Sequence, residues 1–271
     1  FQRKKGAAGR HCFIDYQKMI SIRPIFRHYL AEKWLKKLVP PPAKLIDIGC
    51  GRGDLDFRLA EKKGYEMECF EFSEAAVSEF RKIQKKNPAL SVKLNIVDFL
   101  DWKENPQADA ALCFEVLEHI EDDSAALRKI RAWLKEGGHL FLSVPAHMKK
   151  WGKDDEIFGH FRRYEKTELL KLLEKNGFET IIFYSYGFPW LNILKKIREV
   201  QVRLKPPKFD NAAGKNAKET GTRHSGVGFF KSNALGFLFN RITFYPLILI
   251  GSLFNHLDLS DGYFVVARKS G

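Results

Sequence analysis

The sequence predicts an α/β fold built on a mostly parallel sheet, on three observations. Short apolar runs alternate with segments of helical spacing from about residue 45 to residue 185. The first run, Leu45 to Ile48, passes through glycines at 49, 51 and 53 into a helix. The second, Cys69 to Phe72, carries the carboxylate of Glu71, 22 residues after Gly49. Strands separated by helices pair in parallel through right-handed crossovers.

Taken in order, residues 1–12 are basic and Gly/Ala-rich and read as loosely attached. Phe13 to Val39 reads as mostly helical, with Ile22, Ile25, Phe26, Tyr29, Leu30, Trp34, Leu35 and Leu38 on one apolar face. Pro24 either breaks this stretch or sits in a first turn, and Pro40-Pro41-Pro42 ends it. Strand 45–48 precedes a helix at about 54–63. Strand 66–71 precedes a helix at 74–86 opened by Ser73 as N-cap. Strand 92–97 ends at Asp98. Strand 109–114 precedes a helix at 122–135, with Gly137-Gly138 at its C-terminal end. Strand 139–144 is stopped by Pro145, a helix at 165–176 is ended by Gly177, and a strand follows at 178–185.

The glycine turn brings bare backbone close to a ligand at a helix N-terminus. Its spacing is G-x-G-x-G. A dinucleotide fingerprint needs its third glycine one place later, where Asp54 stands, so NAD and FAD are disfavoured. Glu71 sits where a parallel α/β fold puts the acid that grips ribose hydroxyls.

The runs LIDIGCGRGD, FEFSEAAV, IVDFLDW and ADAALCFEVLEHI, in this order, resemble a class I S-adenosylmethionine-dependent methyltransferase, within the broad group that includes ubiquinone- and menaquinone-type enzymes. The resemblance covers about residues 40–188 plus the last strand. It implies a Rossmann-like seven-stranded mostly parallel sheet with helices on both faces, and Tyr263 to Ala267 inserted antiparallel. It implies S-adenosylmethionine as cofactor, S-adenosylhomocysteine as product, and cofactor contacts from Asp47, Gly49, Cys50, Gly51, Gly53, Glu71, Phe72, Asp98, Phe99, Phe114 and Glu115. Asp98 would accept the adenine amine, and the neighbouring backbone N–H would meet a ring nitrogen.

The implied activity is methyl transfer to an oxygen or nitrogen of a small-molecule, peptide or lipid-like acceptor. His119 is the first candidate for a general base, with His147 and His160 behind it. Residues 145–164 follow the fifth strand and end in His160-Phe161-Arg162-Arg163-Tyr164. They offer a base, two fixed cations and a phenol, which suits an anionic or polyhydroxylated acceptor. Arg162 and Arg163, with Tyr16 and Tyr29 from the N-terminal stretch, are the substrate-binding candidates, and Tyr164 joins the catalytic ones. No cysteine or histidine spacing suggests a metal.

The domain reading is a helical lid at 1–40, a core at 41–188, a basic and apolar helical insertion at 189–258 acting as substrate cap, and a final strand at 259–271. Net charge is +13, distributed as +9 over 1–44, −4 over 45–194, +7 over 195–231 and +1 over 232–271. A mildly acidic core with basic flanks points to an anionic partner or to a lysine-rich surface. Gly236 to Leu257 is apolar and aromatic, and Arg241, Pro246 and Gly251 interrupt it before bilayer length. It reads as core, as a cap over an apolar acceptor, or as an interfacial segment giving peripheral membrane contact.

Nucleic acid ranks below a small molecule as partner, because FEVLEH is not the Asn/Asp-Pro-Pro-aromatic run of base-modifying enzymes. A non-catalytic cofactor-binding scaffold is the alternative of another class. Cys50, Cys69 and Cys113 read as buried hydrophobes in a reducing compartment, which suggests the cytoplasm. No signal peptide is evident, and the first residue is not Met, so the start reads as trimmed. Monomer and homodimer both stay open.

Overall fold

The structure is a computed structural model that describes residues 22–204 and 241–271. Its seven strands are β1 (Lys44–Ile48), β2 (Glu66–Glu71), β3 (Val92–Ile96), β4 (Ala108–Phe114), β5 (Leu134–Pro145), β6 (Phe178–Ser185) and β7 (Gly262–Lys269). They lie in the order β3-β2-β1-β4-β5-β7-β6. Pairing is parallel from β3 to β5, and β7 runs antiparallel between β5 and β6. The strand order reverses between β1 and β4, which opens a crevice at their carboxyl ends.

Helices cover both faces. α1 (Ile22–Leu38), α2 (Asp54–Lys63), α3 (Glu74–Lys86), α7 (Trp190–Leu204) and α8 (Arg241–Ser252) contribute to one face. α4 (Asp123–Trp133) and α6 (Lys166–Lys175) cover the other, and a short α5 (Lys153–Phe158) lies in the loop after β5. The period-2 alternation of the strands divides the core. Leu45, Met67, Cys69, Leu112, Phe141 and Phe264 pack under the first group of helices. Ile46, Ile48, Phe70, Cys113, Leu142 and Val265 pack under the second. Full burial of such side chains contributes roughly 1.5–3 kcal/mol each.

The N-terminal helix is bound to the body of the protein. Phe26, Leu30, Ala31 and Leu35 of α1 are buried. Arg58 Nε of α2 donates to Glu32 Oε1 at 2.6 Å, and the Tyr65 hydroxyl donates to the Val39 carbonyl at 2.8 Å. Pro24 lies in the first turn, where a missing N–H costs nothing.

Three local expectations are corrected. Gly137-Gly138 does not close a helix. α4 stops at Trp133, and both glycines lie inside β5 beside a register shift opposite Ala108 and Ala110. Gly137 has φ +71°, and a Cβ on Gly138 would sit 2.9 Å from the Lys135 carbonyl, so the glycines serve an irregular strand start. Ser73 takes the N-cap position of α3, but its hydroxyl makes no capping bond; Glu71 captures the Ser73 N–H instead. β3 ends at Ile96, one residue early, because Asp98 turns the chain by accepting from the Leu100 N–H at 2.9 Å.

Where described, the insertion before β7 contains the helices α7 and α8, followed by turns. Trp190 Nε1 of α7 donates to the Leu247 carbonyl of α8 at 3.0 Å, and Phe244 and Ile248 are buried. Other apolar side chains of these helices face outward, among them Ile193, Ile197, Leu249 and Ile250. No helix among the described residues is long and apolar enough to cross a membrane.

Candidate functional site

The crevice has two halves. The half above β1 to β3 is made of backbone. Gly49, Gly51 and Gly53 all adopt positive φ, at +69°, +59° and +77°. A Cβ at 49 would meet Val116 Cγ2 at 2.5 Å, and one at 53 would meet Phe80 at 2.6 Å. A Cβ at 51 would meet nothing within 4 Å, so Gly51 faces the open crevice. Glu71 fixes the loop: its Oε2 accepts from the Gly51 N–H at 3.0 Å, and its Oε1 accepts from Phe72 and Ser73 at 2.9 and 2.8 Å. Three of about four acceptor positions are thus used by backbone, leaving one for a ligand hydroxyl. Burial raises the Glu71 pKa and the backbone N–H groups oppose that rise.

Around Glu71 and Asp98, three apolar side chains stand exposed: Phe72, Ile96 and Leu100. All three follow the carboxyl ends of β2 and β3 in the chain or end them. Phe99 is not one of them. Its ring is buried against Trp133 at 6.0 Å, so only its backbone is available to a ligand. The Cys50 thiol is pushed up to about 12, first by burial and then by the charges of Asp56, Asp47 and Glu71, so it stays protonated. The residues present therefore fit a nucleoside-bearing ligand: an open glycine face, an acid with a free acceptor position, and exposed apolar side chains near Asp98.

The half above β4 and β5 is made of side chains. Phe114 lies beneath the Arg27 guanidinium, 5.1 Å from its ring centre. Glu115 has φ +57°; its Oε1 accepts from Ser143 Oγ at 2.8 Å, and its Oε2 accepts from Arg23 at 3.4 Å. Arg27 stands 3.6 Å from the same carboxylate. Burial alone would raise the Glu115 pKa, but Arg23, Arg27 and Ser143 outweigh it and hold the group below its ordinary value. Both arginines come from α1, and sequence reasoning missed them. The signal was two basic residues one turn apart on an otherwise apolar helix face.

Beyond Glu115, the turn Leu117–His119 meets the loop after β5. The Phe161 N–H donates to the Glu118 carbonyl at 2.8 Å. Glu118 is fully buried, and neither carboxylate oxygen has a donor among the described residues. Burial and then the Glu115 charge push its pKa well up, so it holds a proton. His160 Nε2 lies 4.0 Å from Glu118 Oε1, while its Nδ1 lies 2.8 Å from Asp155 Oδ1. The His119 ring stacks edge-on to His160 at 4.7 Å. Burial, then the neighbouring His160, lowers the His119 pKa to about 4. His119 is therefore neutral at pH 7 and a weak proton acceptor. Glu118, His119 and His160 bring ligand atoms within 4.8 Å of one another, a donor set that suits a divalent cation. Sequence spacing hid this cluster, because 41 residues separate His119 from His160.

The remaining candidates lie elsewhere or are already engaged. Tyr164 is a core residue: its hydroxyl donates to Asp123 Oδ2 at 3.0 Å, and burial pushes its pKa far up, which removes it from proton transfer. Arg163 is buried, giving Nε to Asp155 at 2.9 Å and a terminal nitrogen to Asp261 at 2.8 Å. Arg162 pairs with Asp123 at 2.7 Å and donates to the Glu121 carbonyl at 2.6 Å. Loop acids and a carbonyl engage the buried Arg163, while Arg162 gives its two terminal nitrogens to Glu121 and Asp123 and stays partly exposed. His147 lies between Glu165 at 3.2 Å and Asp258 at 3.3 Å, against the Tyr263 ring, outside the Glu118 cluster. Tyr29 packs edge-on to Tyr245 of α8 at 6.0 Å. Tyr16 lies outside the described residues. Asp261, just before β7, ties three segments together, pairing with Arg23 of α1, Arg163 of the loop after β5 and Lys195 of α7.

Comparison with known proteins agrees with this geometry. The family of methyltransferase domains matches residues 25–181. A ubiquinone biosynthesis O-methyltransferase of Xanthomonas axonopodis pv. citri is 28% identical over 125 residues, 46% of this chain and 50% of that protein. Phosphoethanolamine N-methyltransferase 3 of Arabidopsis thaliana is 26% identical over 162 residues, 58% of this chain and 33% of that protein. This chain thus spans half or less of these two curated relatives. A structure titled as a putative sarcosine dimethylglycine methyltransferase from Galdieria sulphuraria superposes with TM-score 0.59 at 14% identity, covering 93% of this chain and 92% of that one. The matched domain, the 3-2-1-4-5-7-6 sheet and the glycine cradle lead to one assignment: the chain belongs to the class I S-adenosylmethionine-dependent methyltransferase family.

Proposed function

We propose that this protein transfers the methyl group of S-adenosylmethionine to an oxygen or nitrogen of a small-molecule, peptide or lipid-like acceptor, with His160 as general base. The observation that carries this reading is the contact between the two halves: Val116, in the turn that leads to Glu118, packs directly over Gly49. A donor on the glycine loop and an acceptor near His160 would then meet at the end of β4.

When bound, the cofactor supplies a sulfonium-activated methyl group. The chain's own residues position and deprotonate. Gly51 leaves room for the donor, and Glu71 offers its remaining lone pair to a ribose hydroxyl. The Asp98 and Phe99 backbone region receives the adenine edge. Arg23 and Arg27 hold Glu115 ionised at the edge of the acceptor space. Asp155 accepts a hydrogen bond from His160 Nδ1–H, which leaves Nε2 as the acceptor of the proton the substrate loses. Such a base contributes roughly 10²–10⁴-fold. His160 replaces His119 as first candidate because a group with pKa about 4 binds a proton poorly at pH 7.

The outward apolar residues of α7 and α8 and the basic flanks support a lipid-like or anionic acceptor. RNA and a non-catalytic scaffold remain the competing readings. Calorimetric titration with S-adenosylmethionine tests the cofactor assignment: binding is expected in the wild type and weakened at least tenfold by Gly51→Val or Glu71→Ala. Unchanged binding in both variants would overturn it. A screen for methyl transfer to phenols, amines and lipid headgroups then identifies the acceptor, and a high 260 nm absorbance of the purified protein would move RNA to first place.

A further inference from the structure

Two carboxylates lie beneath the glycine loop, one of them the expected cofactor contact Asp47. Asp47 belongs to β1 and is 5% exposed; Asp56 lies in the first turn of α2 and is fully buried. Neither oxygen of Asp56 has a hydrogen bond of good geometry among the described residues. What it meets is the Asp47 carboxyl, within side-chain hydrogen-bond reach, and the Cys69 thiol. The charged and titratable groups facing the pair are Arg27 from α1, Cys50 from the loop, Asp54 from α2, and Cys69 and Glu71 from β2. Negative groups outnumber the facing cation, so two ionised carboxylates here would be costly.

We propose that Asp56 is a positioning residue for the donor: it shares one proton with Asp47 beneath the loop, and the positive charge of the bound donor takes that proton's place. The proposal rests on the S-adenosylmethionine reading above. Its basis is the placement of two fully buried oxygens beneath the cradle, with no side-chain donor near them but the Cys69 thiol. The free protein holds one proton between the two carboxyls, which supplies a strong donor to oxygens that otherwise meet only a weak thiol. Burial, then the Asp56 charge, raises the Asp47 pKa, and burial raises Asp56 to about 6, which is consistent with a retained proton. The donor carries a sulfonium and an ammonium against one carboxylate, and so brings net positive charge. On binding, the shared O–H bond breaks, the proton passes to solvent, and the dianionic pair faces the cation.

Binding is therefore tighter at higher pH wherever the free pair is protonated. The expected slope is up to tenfold in affinity per pH unit, flattening once the free pair has lost its proton. The experiment is calorimetry of S-adenosylmethionine binding to the full chain at pH 6, 7 and 8, each in two buffers of different ionisation heat. The wild type should release close to one proton per donor bound at pH 6. Asp56→Asn, near-isosteric and without the second carboxyl, should bind with no proton release and no pH slope. No proton release from the wild type, or equal release from Asp56→Asn, would overturn the proposal. Should Asp56→Asn fail to fold by circular dichroism, Asp47→Asn and the wild-type proton count decide it on the same terms. Absence of any donor binding at every pH would defeat the cofactor reading instead, so the two failures are distinguishable.

Discussion

The two halves of the crevice are built on different principles. The donor half is local: Gly49 to Gly53 and Glu71 lie within 23 residues, and backbone N–H groups make its key bonds. The acceptor half is assembled across the chain. Arg23 reaches Glu115 across 92 positions and Asp261 across 238, and His160 meets Glu118 from the next strand's loop. Backbone geometry tolerates change in surrounding side chains, so a donor cradle can stay fixed while the acceptor half is refashioned. Buried charge networks tolerate no single deletion, because the remaining partner keeps its desolvation cost.

This comparison can be broken at both ends, and the largest effect is expected at His160. His160→Gln should lower turnover about 10²–10⁴-fold and leave the donor dissociation constant within twofold, by steady-state kinetics and calorimetry. Equal losses in both would show that the halves are not separable. Next comes Asp261→Asn, which strips Arg23, Arg163 and Lys195 of a common partner. Global stability should fall by about 3–5 kcal/mol in urea unfolding, with the acceptor half affected most.

Glu118 gives the smallest effect and the sharpest sign. Its folded pKa is raised, so the folded protein keeps a proton that the unfolded chain gives up above about pH 4.5. The stability this group contributes is present at low pH and is lost as pH rises through the folded pKa. Glu118→Gln mimics the protonated form, so its melting temperature should gain on the wild type between pH 5 and pH 8, by an amount equivalent to about 1–3 kcal/mol. A gain that shrinks with rising pH would mean Glu118 is ionised and paired with a cation.

The donor half was legible because its signals are local. Three alternate glycines require positive φ whatever surrounds them, and an acid ending the next strand is placed by register, with Ile48 paired to Phe70. Strand and helix existence was legible for the same reason. One boundary failed because a partner strand decides it: Leu134 leaves the helix because it pairs with Ala108. The HxRRY run shows the opposite case. Its residue types suited substrate binding, yet Asp123, Asp155 and Asp261 claim Arg162, Arg163 and Tyr164.

The sequence by itself thus determined the fold class, the cradle and the family, because periodicity, glycine spacing and strand-end position act over a few residues. Tertiary packing settled which histidine Asp155 orients, which arginines face Glu115, and that Asp47 and Asp56 meet beneath the loop. Those outcomes depend on which charges are buried together, and burial is a property of the packed chain rather than of any stretch of it.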